Sequence, residues 1–380
     1  MSSKTEQNGP IRVLLVGPDL PIVGGQTVQA RLLVEKFQND AEVQLDLQAI
    51  NPRFLPRLQS VKYLRTAVTT IKYLYDLLTR IPRYDVIHIF SASYFSFVLA
   101  PTPAVAISRL FRKRTVLNYR SGEADDHFTR WKTAISTVKL FDRVIAPSGY
   151  LVDVFKKHDV TAHTIFNVVD TGKFRFRSRS PLRPVFLSNR NLEPLYNVGC
   201  VIRAFAKIQK AIPYARLMIV GDGSQRGTLE KLVKELGLTE VHFLGSVPPS
   251  EMPGIYDQAD IYLNTPNLDN MPNSIIEAFA SGLPVVSTNA GGIPYIVQHE
   301  RNGLLVEVGD HEGLALEAIR LLDDPKIAEG LIEHAFADCA NYSWESVRSQ
   351  WVELYQELVE ARGSLSVAAP ESNLTASVEN

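Results

Sequence analysis

The sequence predicts an α/β protein built from two Rossmann-like domains, each with a parallel sheet, facing each other across a cleft. Three observations carry that reading. Short runs rich in Val, Ile and Leu alternate with longer amphipathic stretches, the pattern of parallel strands covered by helices. The alternation stops near the middle of the chain and then restarts. A chain of 380 residues is also too long for one ordinary core and suits two domains of α/β size.

In the first half the strand candidates are Arg12 to Val16, Val43 to Ile50, Val86 to Phe90, Thr115 to Tyr119, Arg143 to Ala146 and His163 to Phe166. In the second half they are Val185 to Ser188, Arg216 to Val220, Val241 to Leu244, Ile261 to Asn264 and Pro284 to Thr288. Between the two series lies TGKFRFRSRSPLRP, whose Ser, Arg and Pro content reads as a linker and places the boundary at residues 171–184. The expected domains are residues 1–175 and 184–343. Trp344, Val347, Trp351, Leu354 and Leu358 recur at helical spacing and predict a helix over residues 344–362. The small, polar stretch 363–380 reads as a disordered tail.

Composition narrows the class. Hydrophobic residues make up 45% and charged residues 21%, the balance of a globular protein. No run of apolar residues is long enough to span a bilayer, since the longest, Tyr94 to Ile107, is broken by Pro101 and Pro103. The polar opening MSSKTEQNGP lacks the apolar core of a secretory signal, and Cys200 and Cys339 show no metal-ligand spacing, so a cytoplasmic location is expected. The net charge of −1 hides an asymmetry: residues 1–180 hold 26 basic and 15 acidic side chains (+11), residues 181–380 hold 14 and 26 (−12). A basic first half suits an anionic partner such as a lipid head group, or attraction to the acidic half. Nucleic-acid binding has no recognisable module to support it.

The chemistry-bearing residues stand where strands end. Gly24 and Gly25 precede a helix after the first strand, and such a turn lets backbone N–H groups approach a phosphate, or simply turns the chain. Arg120 follows the fourth strand, where α/β folds bind ligands; ligand contact and a structural ion pair both fit. The adjacent Glu123, Asp125 and Asp126 form no D-x-D pair and read as a solvated loop, so no metal is expected. Arg190, after Val185 to Ser188, offers a planar donor fork to a diphosphate. Gly221 and Gly223 read as a tight turn into a helix, with ligand contact as the other reading.

The richest segment is NTPNLDNMPNSIIEAFASGLPVVSTNAGGIPYIV. A helix is expected to start at Asn273 or Ser274, with one of them as its cap and Glu277 in its first turn. Its free N–H groups and positive dipole end suit a phosphate. Asp269 lies eight positions before Glu277, so a loop carboxylate and a helix carboxylate can converge on one ligand, each accepting from vicinal hydroxyls. Sugars and ribose carry such hydroxyl pairs.

At this segment the chain resembles the GT-B glycosyltransferases of the glycosyltransferase 4 group. The likeness extends to Gly24 and Gly25, to NVVDTGKF from Asn167, to VGDGSQRGTLE and to HFLGSV at 242–247. The family's mark is two glutamates separated by seven residues, followed by Gly-Pro-Val-Val and Gly-Gly-x-Pro patterns; here the pair reads Asp269 and Glu277. The resemblance implies that Glu277 holds the donor ribose, that Asp269 holds hydroxyls of the transferred sugar, and that Arg190 binds phosphate. It also implies that Asn270, Met271, Pro272, Asn273 and Ser274 line the sugar and phosphates. Retention at the anomeric carbon, a UDP-sugar donor, no metal or other cofactor, and a last helix bracing the first domain are implied as well.

Three positions depart from the family pattern. Asp269 is a methylene shorter than glutamate. The lysine that usually follows the phosphate arginine is missing, and Tyr196 and Asn197 stand in that region. Arg120 takes the place of an active-site histidine; it cannot act as a base at neutral pH but can stabilise developing negative charge. The expected acceptor is a glycan, lipid or small molecule on the basic half. There Leu58, Val61, Leu64, Val68, Ile71, Tyr75 and Leu78 recur at helical spacing beside Arg57, Lys62, Arg65 and Lys72, the pattern of a membrane-surface helix or a core-packed one. The alternative function is a nucleotide-sugar-binding protein without catalysis.

Overall fold

The computed structural model describes residues 9–20, 25–52, 62–91 and 93–367. The strands are β1 Ile11–Gly17, β2 Val43–Ala49, β3 Val86–Ser91, β4 Arg114–Tyr119, β5 Arg143–Ala146, β6 His163–Thr164, β7 Val185–Asn189, β8 Arg216–Val220, β9 Val241–Gly245, β10 Ile261–Asn264, β11 Val285–Thr288 and β12 Leu304–Val306. The helices are α1 Gly25–Lys36, α2 Lys62–Arg80, α3 Phe95–Leu99, α4 Pro101–Leu110, α5 Ala124–Arg130, α6 Lys132–Val138, α7 Gly149–Lys157, α8 Val198–Ala211, α9 Arg226–Glu235, α10 Met252–Gln258, α11 Asn273–Ala280, α12 His311–Asp323, α13 Pro325–Asp338 and α14 Trp344–Val367.

The strands form two six-stranded sheets, ordered β2-β1-β3-β4-β5-β6 and β12-β11-β10-β7-β8-β9. Their registers are parallel, as in β1 with β3 and β7 with β10. Strands β3, β10 and β11 are buried along their whole length, which is why they read as unbroken apolar runs rather than alternating ones. In the second sheet the chain winds outward from β7 to β9, then returns to the other side of β7 for β10, β11 and β12. The winding therefore reverses between β7 and β10, and α/β sheets bind ligands beyond the carboxyl ends of the strands flanking such a reversal.

Two compact units divide the chain: Met1–Asn118 with Ser136–Val144 and Ser349–Asn380, and Tyr119–Ile135 with Ile145–Arg348. In the first unit Val13, Leu15, Val86, Ile87 and Ile89 are fully buried core. His88 sits among them at 0% exposure. The Asn118 amide donates to its Nε2 at 3.1 Å, so Nδ1 carries the proton and donates to Tyr355 Oη at 2.7 Å. Trp351, Tyr355 and Leu358 thus present the buried face of α14. That helix runs to Val367, past the residue where a disordered tail was expected to start; residues 368–380 lie outside the described ones.

In the second unit one apolar cluster gathers Leu187, Tyr262, Ile275, Phe279 and Val285, and another gathers Phe186, Val201, Phe205, Leu263 and Val286. The expected linker at residues 171–184 is not a free tether. Arg179 is buried, donating to the carbonyls of Tyr256, Ala259, Arg177 and Ser281. Arg177, Arg179 and Arg183 all pair with Asp260, which immediately precedes β10. Polar composition marked this segment as a linker, but its arginines find carbonyl and carboxylate partners that a solvated tether lacks.

Candidate functional site

Arg190 directly follows β7, at the point where the second sheet reverses. Its Nη1 donates to Ser274 Oγ at 3.2 Å, its Nη2 donates to Asp269 Oδ2, and the Tyr196 ring centroid lies 4.2 Å from its Cζ. Arg190 and Asp269 keep side-chain exposures of 11% and 15%. Burial opposes the guanidinium charge, but Asp269 and the phenols of Tyr262, Tyr196 and Tyr256 hold its pKa above the ordinary value. The Nε–H is buried with no hydrogen-bond partner among the described residues.

The loop after β10 brings Asp269 to this guanidinium through close backbone packing. Gly292 N donates to Asp269 O at 2.8 Å. A Cβ on Gly292 would stand 1.8 Å from Asn270 O, and Gly291 has a φ of +55° with Asp269 O 2.3 Å from its missing Cβ. Only glycine tolerates that approach. Gly221 does the same for Arg190: its φ is +128°, and a Cβ there would lie 2.2 Å from Arg190 O. Gly221 and Gly291–Gly292 therefore shape the walls of the site rather than lining it.

Helix α11 begins at Asn273, with Pro272 as its N-cap and no side-chain cap. This corrects the expectation that Asn273 or Ser274 caps it: both lie inside the helix, and Ser274 Oγ is engaged by Arg190. Glu277 is likewise one residue beyond the first turn, which contains no acidic side chain. Its Oε2 accepts from Tyr256 Oη at 2.8 Å, and Tyr256 Oη in turn accepts from Asn189 Nδ2 at 2.8 Å. Burial raises the Glu277 carboxyl above its ordinary pKa, against the Tyr256 hydrogen bond and the Arg190 charge.

A second polar chain reaches the same helix start. Arg120 Nη2 donates to Asn167 Oδ1, and Asn167 Nδ2 donates to Asn273 Oδ1 at 3.0 Å. Asn167 N points at Met271 Sδ at 3.3 Å, and Ser148 Oγ donates to Asn270 Oδ1. Burial lowers the Arg120 pKa to about 9, which still leaves it a cation at neutral pH. Asp125 pairs with Lys157 and lies near the half-buried His158, and Asp126 pairs with Arg130, with Asp125, Asp126, Lys157 and Arg130 all solvent-facing.

The structure thus brings Arg190, Asp269, Ser274 and Glu277 to one end of the sheet, and ties Arg120, Asn270, Met271 and Asn273 into the adjoining network. Gly25 opens α1 in the first unit, and Gly24 lies outside the described residues. Sequence reasoning missed Tyr256, Asn189 and Ser148. The tyrosine carries no local signal, because its role comes from its hydroxyl reaching Ser274 O and Glu277 on α11, distant in sequence; Asn189 was visible as the polar residue closing an apolar strand. Among the described residues, no group of three His, Cys, Asp or Glu side chains gathers to hold a metal ion.

Residues 24–173 match the family model described as Glycosyltransferase Family 4, and residues 170–338 match the one described as Glycosyl transferases group 1. The chain is 30% identical over 207 residues to the N-acetyl-alpha-D-glucosaminyl L-malate synthase of Bacillus anthracis, covering 52% of this chain and 54% of that protein. It is 36% identical over 149 residues to a D-inositol 3-phosphate glycosyltransferase of Corynebacterium urealyticum, covering 38% and 35%. The matched length is thus about half of these curated relatives or less. Its fold is similar to that of Anabaena Alr3699/HepE in complex with UDP and glucose, with a TM-score of 0.71 at 19% identity, covering 91% of this chain and all of the other.

Proposed function

This chain belongs to the group 1, family 4 glycosyltransferases of the GT-B fold, and from that premise we propose that it moves a hexose from a UDP-sugar, with retention at the anomeric carbon, to an acceptor held by its basic N-terminal half. The observation that carries this reading is Arg190, held by Ser274 and Asp269 beside a helix start that no side chain caps. Cationic N–H groups and free amides at one point suit a leaving diphosphate.

Each side chain then has a role. Arg190 and the first amides of α11 stabilise the charge that develops as the bond from the anomeric carbon to phosphate oxygen breaks. Asp269 accepts from hydroxyls of the sugar, and Glu277 accepts from the ribose. Asn270, Met271, Pro272 and Asn273 wall the sugar and phosphates. Arg120 adds positive charge and, through Asn167, steadies Asn273. The acceptor oxygen bonds the anomeric carbon on the face the phosphate leaves, and its proton passes to the departing phosphate oxygen. Gly24 and Gly25 are assigned to phosphate binding as well. The scheme uses no metal and no cofactor, and nucleic acid is not a partner.

The test is time-dependent nucleotide release from a panel of UDP- and GDP-sugars, with a cell extract supplying acceptors. UDP release that is lost in Arg190→Ala is expected. Binding without release would favour the non-catalytic reading, which Arg120 and the missing lysine motivate, and release from GDP-sugars alone would overturn the choice of nucleotide.

We place the working protein in the cytoplasm, with its acceptor side on anionic lipid. In α2, Tyr73 and Leu77 are buried at 2% and 0%, whereas Ile71, Tyr75 and Leu78 stand 68%, 65% and 44% exposed. The helix therefore has a core-packed face and a second, solvent-facing apolar stripe. Arg57, Leu58 and Val61 lie outside the described residues, and no described helix is long and apolar enough to cross a membrane. Co-flotation with phosphatidylglycerol vesicles is expected, and its loss in the Ile71→Asp Tyr75→Asp variant; a protein that never floats would refute the lipid contact.

A further inference from the structure

Arg190 and Asp269, which the proposed function assigns to the phosphate and the sugar of one donor, are bonded to each other. Both oxygens of Asp269 are in use. Oδ2 accepts from Arg190 Nη2, and Oδ1 accepts from the backbone N–H of Asn270 at 2.8 Å. That second bond ties the short side chain to its own loop and fixes the carboxylate over the guanidinium. Arg190 is held on three sides, by Asp269, by Ser274 Oγ and by the Tyr196 ring. With the Nε–H buried, a diphosphate that takes the Nη1/Nη2 end of the guanidinium competes with Asp269 for Nη2.

We propose that the Asp269–Arg190 pair is an internal lock that selects an intact nucleotide-sugar over a bare diphosphate. A diphosphate alone can replace Asp269 on Arg190, but it leaves a mostly buried carboxylate beside a phosphate with no new donor. Loss of a charge's partner in such surroundings is costly. A nucleotide-sugar brings the replacement with it, because its hydroxyls donate to Asp269 while its phosphate takes Arg190. Once the sugar has been transferred, that donor is gone, Asp269 returns to Arg190, and the nucleotide diphosphate is driven out. Tyr196 keeps the guanidinium plane in place through the exchange, stacking in the region where a second cation would otherwise stand.

This inference rests on the donor-site reading, and a double-mutant cycle separates the two. The probes are UDP and inorganic pyrophosphate, titrated calorimetrically at fixed salt into the full chain. Asp269→Asn should bind both about tenfold more tightly, the size of one partly buried charge contact. In an Arg190→Gln background the same substitution should give no gain, because the competitor it removes acts through Arg190. A gain that persists without Arg190 would be a general field effect and would overturn the lock. Unchanged or weaker binding in Asp269→Asn would overturn it too, while the donor-site reading stands as long as binding to the unsubstituted chain depends on Arg190. If no variant binds UDP, the donor-site reading falls together with the lock. Should Asp269→Asn fail to fold, Asp269→Ser supplies the same comparison.

Discussion

The two ends of β10 each carry an aspartate in the company of arginine, and they are built to opposite purposes. At the start, Asp260 is 1% exposed and is met by Arg177, Arg179 and Arg183. Arg183 alone supplies its backbone N–H at 2.6 Å, Nε at 3.1 Å and Nη2 at 2.8 Å. Beyond the other end, Asp269 is 15% exposed and has a single arginine among the described residues, Arg190. A carboxylate met by three arginines specifies structure, because a ligand would have to displace several partners at once. A carboxylate with one arginine at a sheet reversal can exchange that partner for a ligand, and the number of charged partners separates site from scaffold better than the presence of charge does.

The contrast is broken most directly at Asp260. Burial works against its charge, yet the Arg183 and Arg177 contacts hold its pKa below the ordinary carboxylate value. Asp260→Asn would leave the 0%-exposed Arg179 and its two neighbours without their anion. The expected cost is about 3 to 5 kcal/mol of folding stability, read by urea unfolding. Asp269→Asn should cost less than Asp260→Asn, because one arginine rather than three loses its anion, and Ser274 Oγ and the Tyr196 ring still hold it. Equal losses at the two positions would mean that the Asp269 pair is scaffold as well.

Much of the fold was legible in the sequence because strands of covered parallel sheets read as short apolar runs, and eleven strands were read to within two residues. The twelfth, Leu304–Val306, is three residues long and pairs only with β11 at the sheet edge, so no window of hydrophobic periodicity isolates it. The site was legible where a motif concentrates it, at Arg190, Asp269 and Glu277. It was not legible where it depends on long-range packing, as with Tyr256, or where a composition signal has two physical outcomes. The Arg- and Ser-rich segment at residues 171–184 is such a case: the same residues that solvate a tether also neutralise Asp260. The placing of Glu277 in the first turn, one residue too early, came from assuming a polar cap at Asn273 or Ser274, when the capping position is Pro272.

The finer probe of the same contrast is Glu277, a carboxylate that the fold tolerates rather than rewards. Its folded pKa is raised by burial, partly offset by Tyr256 and Arg190. The protonated form therefore contributes stability that is fully present below the unfolded value of 4.5 and is lost as pH rises through the higher folded value. Glu277→Gln keeps the acceptor for the Tyr256 hydroxyl and removes the charge. The variant and the unsubstituted protein should then melt together in acid, with the variant gaining ground as pH rises toward 7. Donor binding should move the other way. An ionised Glu277 accepts from two ribose hydroxyls and an amide accepts less well, so UDP affinity should fall roughly tenfold or more at pH 7, the scale of one charge-assisted hydrogen bond. Wild-type affinity should weaken on acidification above the ordinary carboxylate range, while Glu277→Gln stays flat. Parallel pH profiles for the two proteins would remove Glu277 from the ribose and return it to the scaffold.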